Sequence, residues 1–173
     1  MPLNKAACDW YTQVRDGGAR WVEPYYATGA LDWYVDYGIP FHYESGPKKG
    51  QVRGTITLSF VCSGLKDLAH SLSIGKTGYG IITSPKGQLL AHPIEKLIGN
   101  KNLKDVEANP ALAAAFQKVL DGESGTISFY DPELRDKRLF CYDQIPTSKW
   151  GIGLMFFESD LLNDQRSLDR RYI

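Results

Sequence analysis

Cysteine is scarce in this chain of 173 residues, and neither sign of charge is in excess. The three cysteines, Cys8, Cys62 and Cys141, are too few and too scattered for a disulfide framework or a Cys-x-x-Cys metal site. One bridge is possible, which would leave one thiol over. Twenty basic residues balance twenty acidic ones, so no overall field draws the chain to nucleic acid or to an anionic membrane. The short clusters Lys48-Lys49 and Arg170-Arg171 read as solvated surface. No run approaches the ~20 apolar residues of a membrane-spanning helix, and Met1-Pro2-Leu3-Asn4 does not open a secretory signal. The chain is therefore expected to be soluble, meeting a membrane only through flanking segments.

Catalytic and metal signatures are absent as well. There is no Gly-x-Ser-x-Gly and no P-loop, and Gly78-Tyr79-Gly80 leads into a strand rather than a phosphate-binding helix. The three histidines, His42, His70 and His92, show no His-x-x-x-His spacing, so no metal site is expected. Cys141, between Phe140 and Tyr142, reads as a small core residue rather than an activated thiol. We expect no catalytic residue, no cofactor and no enzyme activity.

What the chain does have is apolar patterning, 43% of its residues, enough to bury a core. Trp10-Tyr11 is placed near the end of a helix, followed by the loop Asp16-Gly17-Gly18. Trp21 to Tyr26 forms a short strand interrupted by Pro24. From Leu31 to Tyr37, the alternation of Leu31, Trp33, Val35 and Tyr37 with Asp32, Tyr34 and Asp36 predicts a strand with one buried face. Gln51 to Phe60 sets Val52, Gly54, Ile56, Leu58 and Phe60 against Arg53, Thr55, Thr57 and Ser59, a polar, β-branched face suited to solvent or to a lined pocket. Ser63 reads as the N-cap of a short helix with Leu65, Leu68 and Leu72 on its apolar stripe.

Gly78 to Pro93 is the clearest single element. Ile81-Ile82 and Leu89-Leu90 flank Ser84-Pro85-Lys86-Gly87, with proline at the second turn position and glycine at the fourth, so the segment predicts a β-hairpin. Asn109-Pro110 then starts a helix whose stripe is Leu112, Phe116, Val119 and Leu120, ended by Gly122. Strands follow at Thr126 to Tyr130, Arg138 to Gln144 and Trp150 to Phe157, and a last helix at roughly 159–172. Most connections are too short for parallel crossovers, so the class is α+β with antiparallel sheets.

The hairpin's wording, Gly78-Tyr79 through Ala91-His92-Pro93, resembles that of Cache domains, the PAS-like sensor modules outside the membrane in bacterial and archaeal receptors. Six further motifs stand in the double Cache order: Trp10-Tyr11, Trp21-Val22-Glu23-Pro24-Tyr25, Gly38-Ile39-Pro40, Gly50 to Ile56, the short helix at Leu65-Lys66-Asp67-Leu68, and Ile145-Pro146-Thr147-Ser148-Lys149-Trp150-Gly151-Ile152. The resemblance implies PAS-like antiparallel sheets flanked by helices in two lobes. Residues 1–73 would be a partial membrane-distal lobe, 74–158 a membrane-proximal lobe, and 159–173 a helix leading towards a membrane segment. Only nine residues precede Trp10, where a double Cache module carries a long helix and further strands, so the distal lobe is incomplete, as in a fragment or in a lobe completed by another chain.

It further implies an extracytoplasmic, non-catalytic small-molecule sensor domain of a histidine kinase, chemoreceptor or similar receptor, a homodimer in its full form and without nucleic acid partners. The rival is a structural dimerisation or interaction module with a degenerate pocket. In the distal lobe the pocket would be lined by Trp10, Tyr11, Tyr25 or Tyr26, Trp33 and Tyr37, with Thr57 and Ser59 opposite; the resemblance favours Trp10, Tyr11 and Tyr26. Amino-acid-binding members carry an Arg and an Asp where this chain has Cys8 and Ser59. The charge-assisted clamp on an amino acid is therefore missing, and a standard amino acid is a poor candidate ligand. His92 is expected to be a structural hydrogen-bond donor at the strand exit.

Overall fold

A computed structural model describes residues 9–72, 74–102, 105, 109–132 and 135–161, which form two compact units, Met1–Val61 and Cys62–Ile173. The first unit is built around one long strand. Helix α1 (Asp9–Gly17) is followed by β1 (Arg20–Trp21), β2 (Tyr25–Ala27), β3 (Asp32–His42) and β4 (Val52–Val61). β3 pairs antiparallel with each of the other three: with β1 at Trp21↔Tyr37, with β2 at Tyr25↔Tyr34 and Tyr26↔Trp33, and with β4 from Tyr34↔Val61 to His42↔Val52. Trp10-Tyr11 thus stands at the beginning of the described helix rather than near its end, and Asp16-Gly17 completes the helix instead of opening a loop. Pro24, which cannot donate to a ladder, splits the expected strand at 21–26 into β1 and β2.

α1 lies on one face of β3 because Gly38 has no side chain. A Cβ there would sit 2.3 Å from Val14 Cγ2, and Val14 is fully buried. On the other face Trp21 packs its ring against Tyr37 (5.3 Å between centroids) and Phe60 (5.5 Å). The middle of β3 is therefore covered on both faces, and the expected one-face alternation fails there. Val35 and its neighbour Asp36 are both buried, whereas Leu31 lies outside the strand, exposed, at φ 56°. On β4 the expected apolar face exists but much of it is open: Ile56 is 66% and Leu58 62% exposed, next to exposed Ile39 and Phe41 of β3.

The second unit begins at Cys62, earlier than the boundary expected at 73, because helix α2 (Cys62–Ser71) packs on this unit's strands. Gly80 allows that seat, since a Cβ there would meet the Ala69 carbonyl oxygen at 2.5 Å. The buried positions of α2 are Cys62 and Ala69; Leu68 of the expected stripe is exposed, and Ser63 lies within the helix rather than capping it. β5 (Tyr79–Thr83) and β6 (Leu89–Ala91) form the expected hairpin, closed by Gly87 N–H to the Ser84 carbonyl (2.9 Å). β7 (Gly125–Asp131), β8 (Asp136–Gln144) and β9 (Gly151–Phe157) complete a five-stranded antiparallel sheet in the order β6-β5-β9-β8-β7. α3 (Pro110–Leu120) is capped as its sequence predicts: Asn109 Oδ1 accepts from the Ala111 and Leu112 N–H groups. It presses Leu112, Phe116 and Val119 onto the sheet, with Phe116 edge-on to Phe140 (5.1 Å).

The sheet's exit is tied back to its entry. Residues 158–161 are helical, and the buried Asp160 carboxylate accepts from the Thr77 N–H (3.1 Å) and from the Thr77 hydroxyl. Those bonds, the hydroxyl's foremost, hold the Asp160 carboxyl below the usual carboxylate range. The rest of the helix expected at 159–172 lies outside the described residues.

His92 closes the hairpin. It is buried, and its Nδ1 accepts from the Ile94 N–H (3.0 Å), so at this bond it is an acceptor rather than the expected donor. Burial pushes its pKa below the ordinary 6.5. The unfolded chain then takes up the proton first as pH falls. The stabilisation is full above 6.5 and declines below it as pH drops towards the folded value. Urea unfolding midpoints should accordingly fall between pH 7.5 and 5.5, and His92→Phe should flatten that slope; an unchanged slope in the variant would contradict the assignment.

Candidate ligand-binding site

In the first unit, on the β2 side of β3, lies a cavity with a volume of about 600 Å³. That is in the range of small-molecule sites. Its walls come from two short stretches. α1 contributes Asp9, Trp10 and Gln13, on the turn directly before Val14, and residues 22–29 contribute the rest. Because Val14 is pinned over Gly38, one helical turn back places Trp10 at the cavity. The opposite wall is Val22-Glu23-Pro24 running into Tyr25 and Tyr26.

That segment is held firmly. The Val22 N–H donates to the Asp36 carbonyl (2.8 Å), and Val22 and Pro24 are buried. The Tyr25 hydroxyl donates to Asp36 Oδ2 (3.0 Å), a carboxylate only 2% exposed. Asp36 Oδ1 and Glu23 Oε2 are both shut off from solvent without a hydrogen-bond partner among the described residues.

Of the residues expected at a pocket, Trp10, Tyr25 and Tyr26 line this cavity. Tyr11 does not; it stands edge-on to Trp10 (5.9 Å), with the Arg15 guanidinium 5.9 Å from its ring. Trp33 lies behind the wall, packed edge-on to Tyr26 (5.7 Å). Tyr37, Thr57 and Ser59 are elsewhere. Tyr37 faces Trp21 on the side of the sheet away from α1, and Thr57 and Ser59 stand on β4, across β3 from β2, opposite Gly38 and Asp36. The expectation that Thr57 and Ser59 face the aromatic wall is thus corrected by strand order: β3 separates β4 from the cavity edge. Asp9, Gln13, Glu23 and Asp36 were not picked out from the sequence as site residues. Helical spacing around Trp10 marks the first two, and Trp21-Val22-Glu23-Pro24-Tyr25 already contains the third.

Clefts of about 200 and 210 Å³ occur in the second unit, one beside Cys141 and Tyr142, the other beside Phe116 and Leu120. Cys141 is only partly buried, against the expectation of a core thiol, and it and Cys62 are unbridged; Cys8 lies outside the described residues. Among the described residues no group of three or more His, Cys, Asp or Glu side chains could hold a metal ion, and no helix is long and apolar enough to cross a membrane.

Antiparallel sheets carrying helices on their faces, with an aromatic cavity in the first unit, define a protein of the PAS-like sensor-domain class. Residues 56–171 match the model of the Cache 3/Cache 2 fusion domain, and the chain belongs to that family. The resemblance read from its motifs and the α+β class are borne out. Solved structures with this fold include the extracellular domain of mmHK1S-Z3, described as a histidine kinase (21% identity, TM-score 0.78, covering 96% of this chain and 59% of that one). The ligand-binding domain of the Pseudomonas aeruginosa PAO1 amino acid chemoreceptor PctB in complex with L-Arg is similar as well (19%, TM-score 0.70, 96% and 63%). A third is the periplasmic sensory domain of the Campylobacter jejuni chemoreceptor Tlp1 (16%, TM-score 0.71, 91% and 57%). The chain therefore spans less than two thirds of the length of these structures. No curated protein sequence matches it.

The wall's rigidity is open to a direct check. Tyr25→Phe removes the donor to a buried carboxylate, which should cost about 1–3 kcal/mol. Urea denaturation measures this; unchanged stability would mean that Asp36 does not hold the wall.

Proposed function

We propose that this chain is the ligand-sensing portion of an extracytoplasmic receptor domain, of the kind that serves a histidine kinase or a chemoreceptor, and that the cavity walled by Trp10, Tyr25 and Tyr26 is where its small-molecule ligand binds. The observation that carries this reading is the cavity itself: about 600 Å³, aromatic, and backed by the Tyr25–Asp36 hydrogen bond. Family membership and the shared fold support the sensor role and the location outside the cytoplasm. The first unit is then the membrane-distal lobe and the second the membrane-proximal one. Chemistry, if any, belongs to an output domain rather than to this chain.

PctB was solved with L-Arg and Mlp24 with asparagine. This chain's cavity offers no Lys or Arg among its described lining residues to take a carboxylate, which favours a ligand other than a standard amino acid. Transmission would run through the second unit, where residues 158–161 are fastened to Thr77 by Asp160, so that strain in the sheet reaches the segment leading to the membrane. The runner-up, a homodimerisation module, draws on the exposed apolar face of Ile39, Phe41, Ile56 and Leu58.

A thermal-shift screen of amines, organic acids and nucleobases separates the two. A ligand at 100 times its Kd adds ~2.7 kcal/mol of stability, and Trp10→Ala should abolish the shift. If no compound shifts the transition while the chain dimerises reversibly, the dimerisation module is the correct reading.

A further inference from the structure

The charge of the cavity goes beyond its shape. Its lining includes two acidic residues, Asp9 and Glu23, and no Lys, Arg or His among the described residues. Glu23 Oε2 is closed off from water with no donor on it, and Asp36 Oδ1, behind Tyr25, is in the same position. A carboxylate oxygen removed from water without a partner is costly to the fold and awaits compensation from a cation. Two cations of the unit are engaged elsewhere. Arg15 is engaged by the Asp16 carboxylate through two bonds (2.6 and 2.7 Å), and Arg20 donates to the Gly17 carbonyl (2.6 Å). Trp10, Tyr25 and Tyr26 are among the remaining lining residues, and the face of an aromatic ring attracts an organic cation and repels an anion.

We propose that the cavity selects organic ammonium cations, with Glu23 as the counter-charge and the Trp10, Tyr25 and Tyr26 rings as the cation-binding walls. This rests on the reading of the cavity as the ligand site and adds its chemical class. Carboxylate and rings divide the work. Glu23 supplies a buried opposite charge at one point, while the aromatic faces accept the apolar, charge-bearing methyl or methylene groups around the nitrogen. Free carboxylates and phosphates are disfavoured, since they would face Glu23 and Asp9 with no positive charge among the described lining residues.

The test uses the whole chain and three probes of similar size and opposite charge character: benzyltrimethylammonium, benzyl alcohol and phenylacetate. Isothermal titration should show saturable binding of benzyltrimethylammonium, at least tenfold tighter than of either other probe. Glu23→Gln should weaken it tenfold or more while leaving the weak binding of benzyl alcohol unchanged, a split that general damage to the fold would not produce. Equal or tighter binding of phenylacetate, or an unaltered ammonium affinity in Glu23→Gln, overturns the charge assignment and leaves the cavity as a ligand site of another class. Absence of binding by all three probes, together with an empty thermal-shift screen, overturns both.

Discussion

The missing side chain at Gly38 is the constraint from which the first unit follows. With a Cβ excluded, Val14 can drop onto the centre of β3, and the helix that carries Val14 is thereby fixed in height and rotation above the sheet. One turn earlier stands Trp10, directly preceded by Asp9, and both become walls of a cavity that neither the helix nor β2 could form alone. The second contributor is Asp36, two residues back on the same strand and the same face. It fastens Tyr25 by its side chain and Val22 by its carbonyl, so a single strand positions both sides of the site.

Much of this arrangement was legible in the sequence, and the limits have physical reasons. The hairpin at β5–β6 and the cap at Asn109-Pro110 are local: turn chemistry and side-chain capping act within a few residues, and both elements form where they were predicted. Trp10, Tyr25 and Tyr26 were named because the resemblance implies a pocket in the first lobe, and Tyr11, Trp33 and Tyr37, named with them, do not line the cavity. Burial on β3 could not be read, because alternation assumes one covered face, and this strand is covered on both by α1 and by Trp21. Thr57 and Ser59 were placed opposite the rings for a related reason. Periodicity assigns a residue to a face but not a strand to an edge, and β4 lies on the far edge of β3. The face of Ile56 and Leu58 shows the same limit, since an apolar stripe does not reveal what, if anything, covers it.

The second unit contrasts with the first in how it is held. Its sheet is continuous over five strands and is covered by α3 through Leu112, Phe116 and Val119. Such packing resists local deformation and passes displacement on as a body. The link from Asp160 to Thr77 joins the segment after β9 to the segment that leads into β5. The first unit thus holds an aromatic cavity and the second a closely packed core.

The account depends most on the seat of α1. Hydrogen exchange of Gly38→Val beside the natural chain measures it directly. Amides of residues 10–17 and 22–29 should lose protection together, while those of α3 and β7 to β9 keep theirs. Retained protection at 10–17 in the variant would contradict the claim that the contact between Val14 and Gly38 builds the cavity.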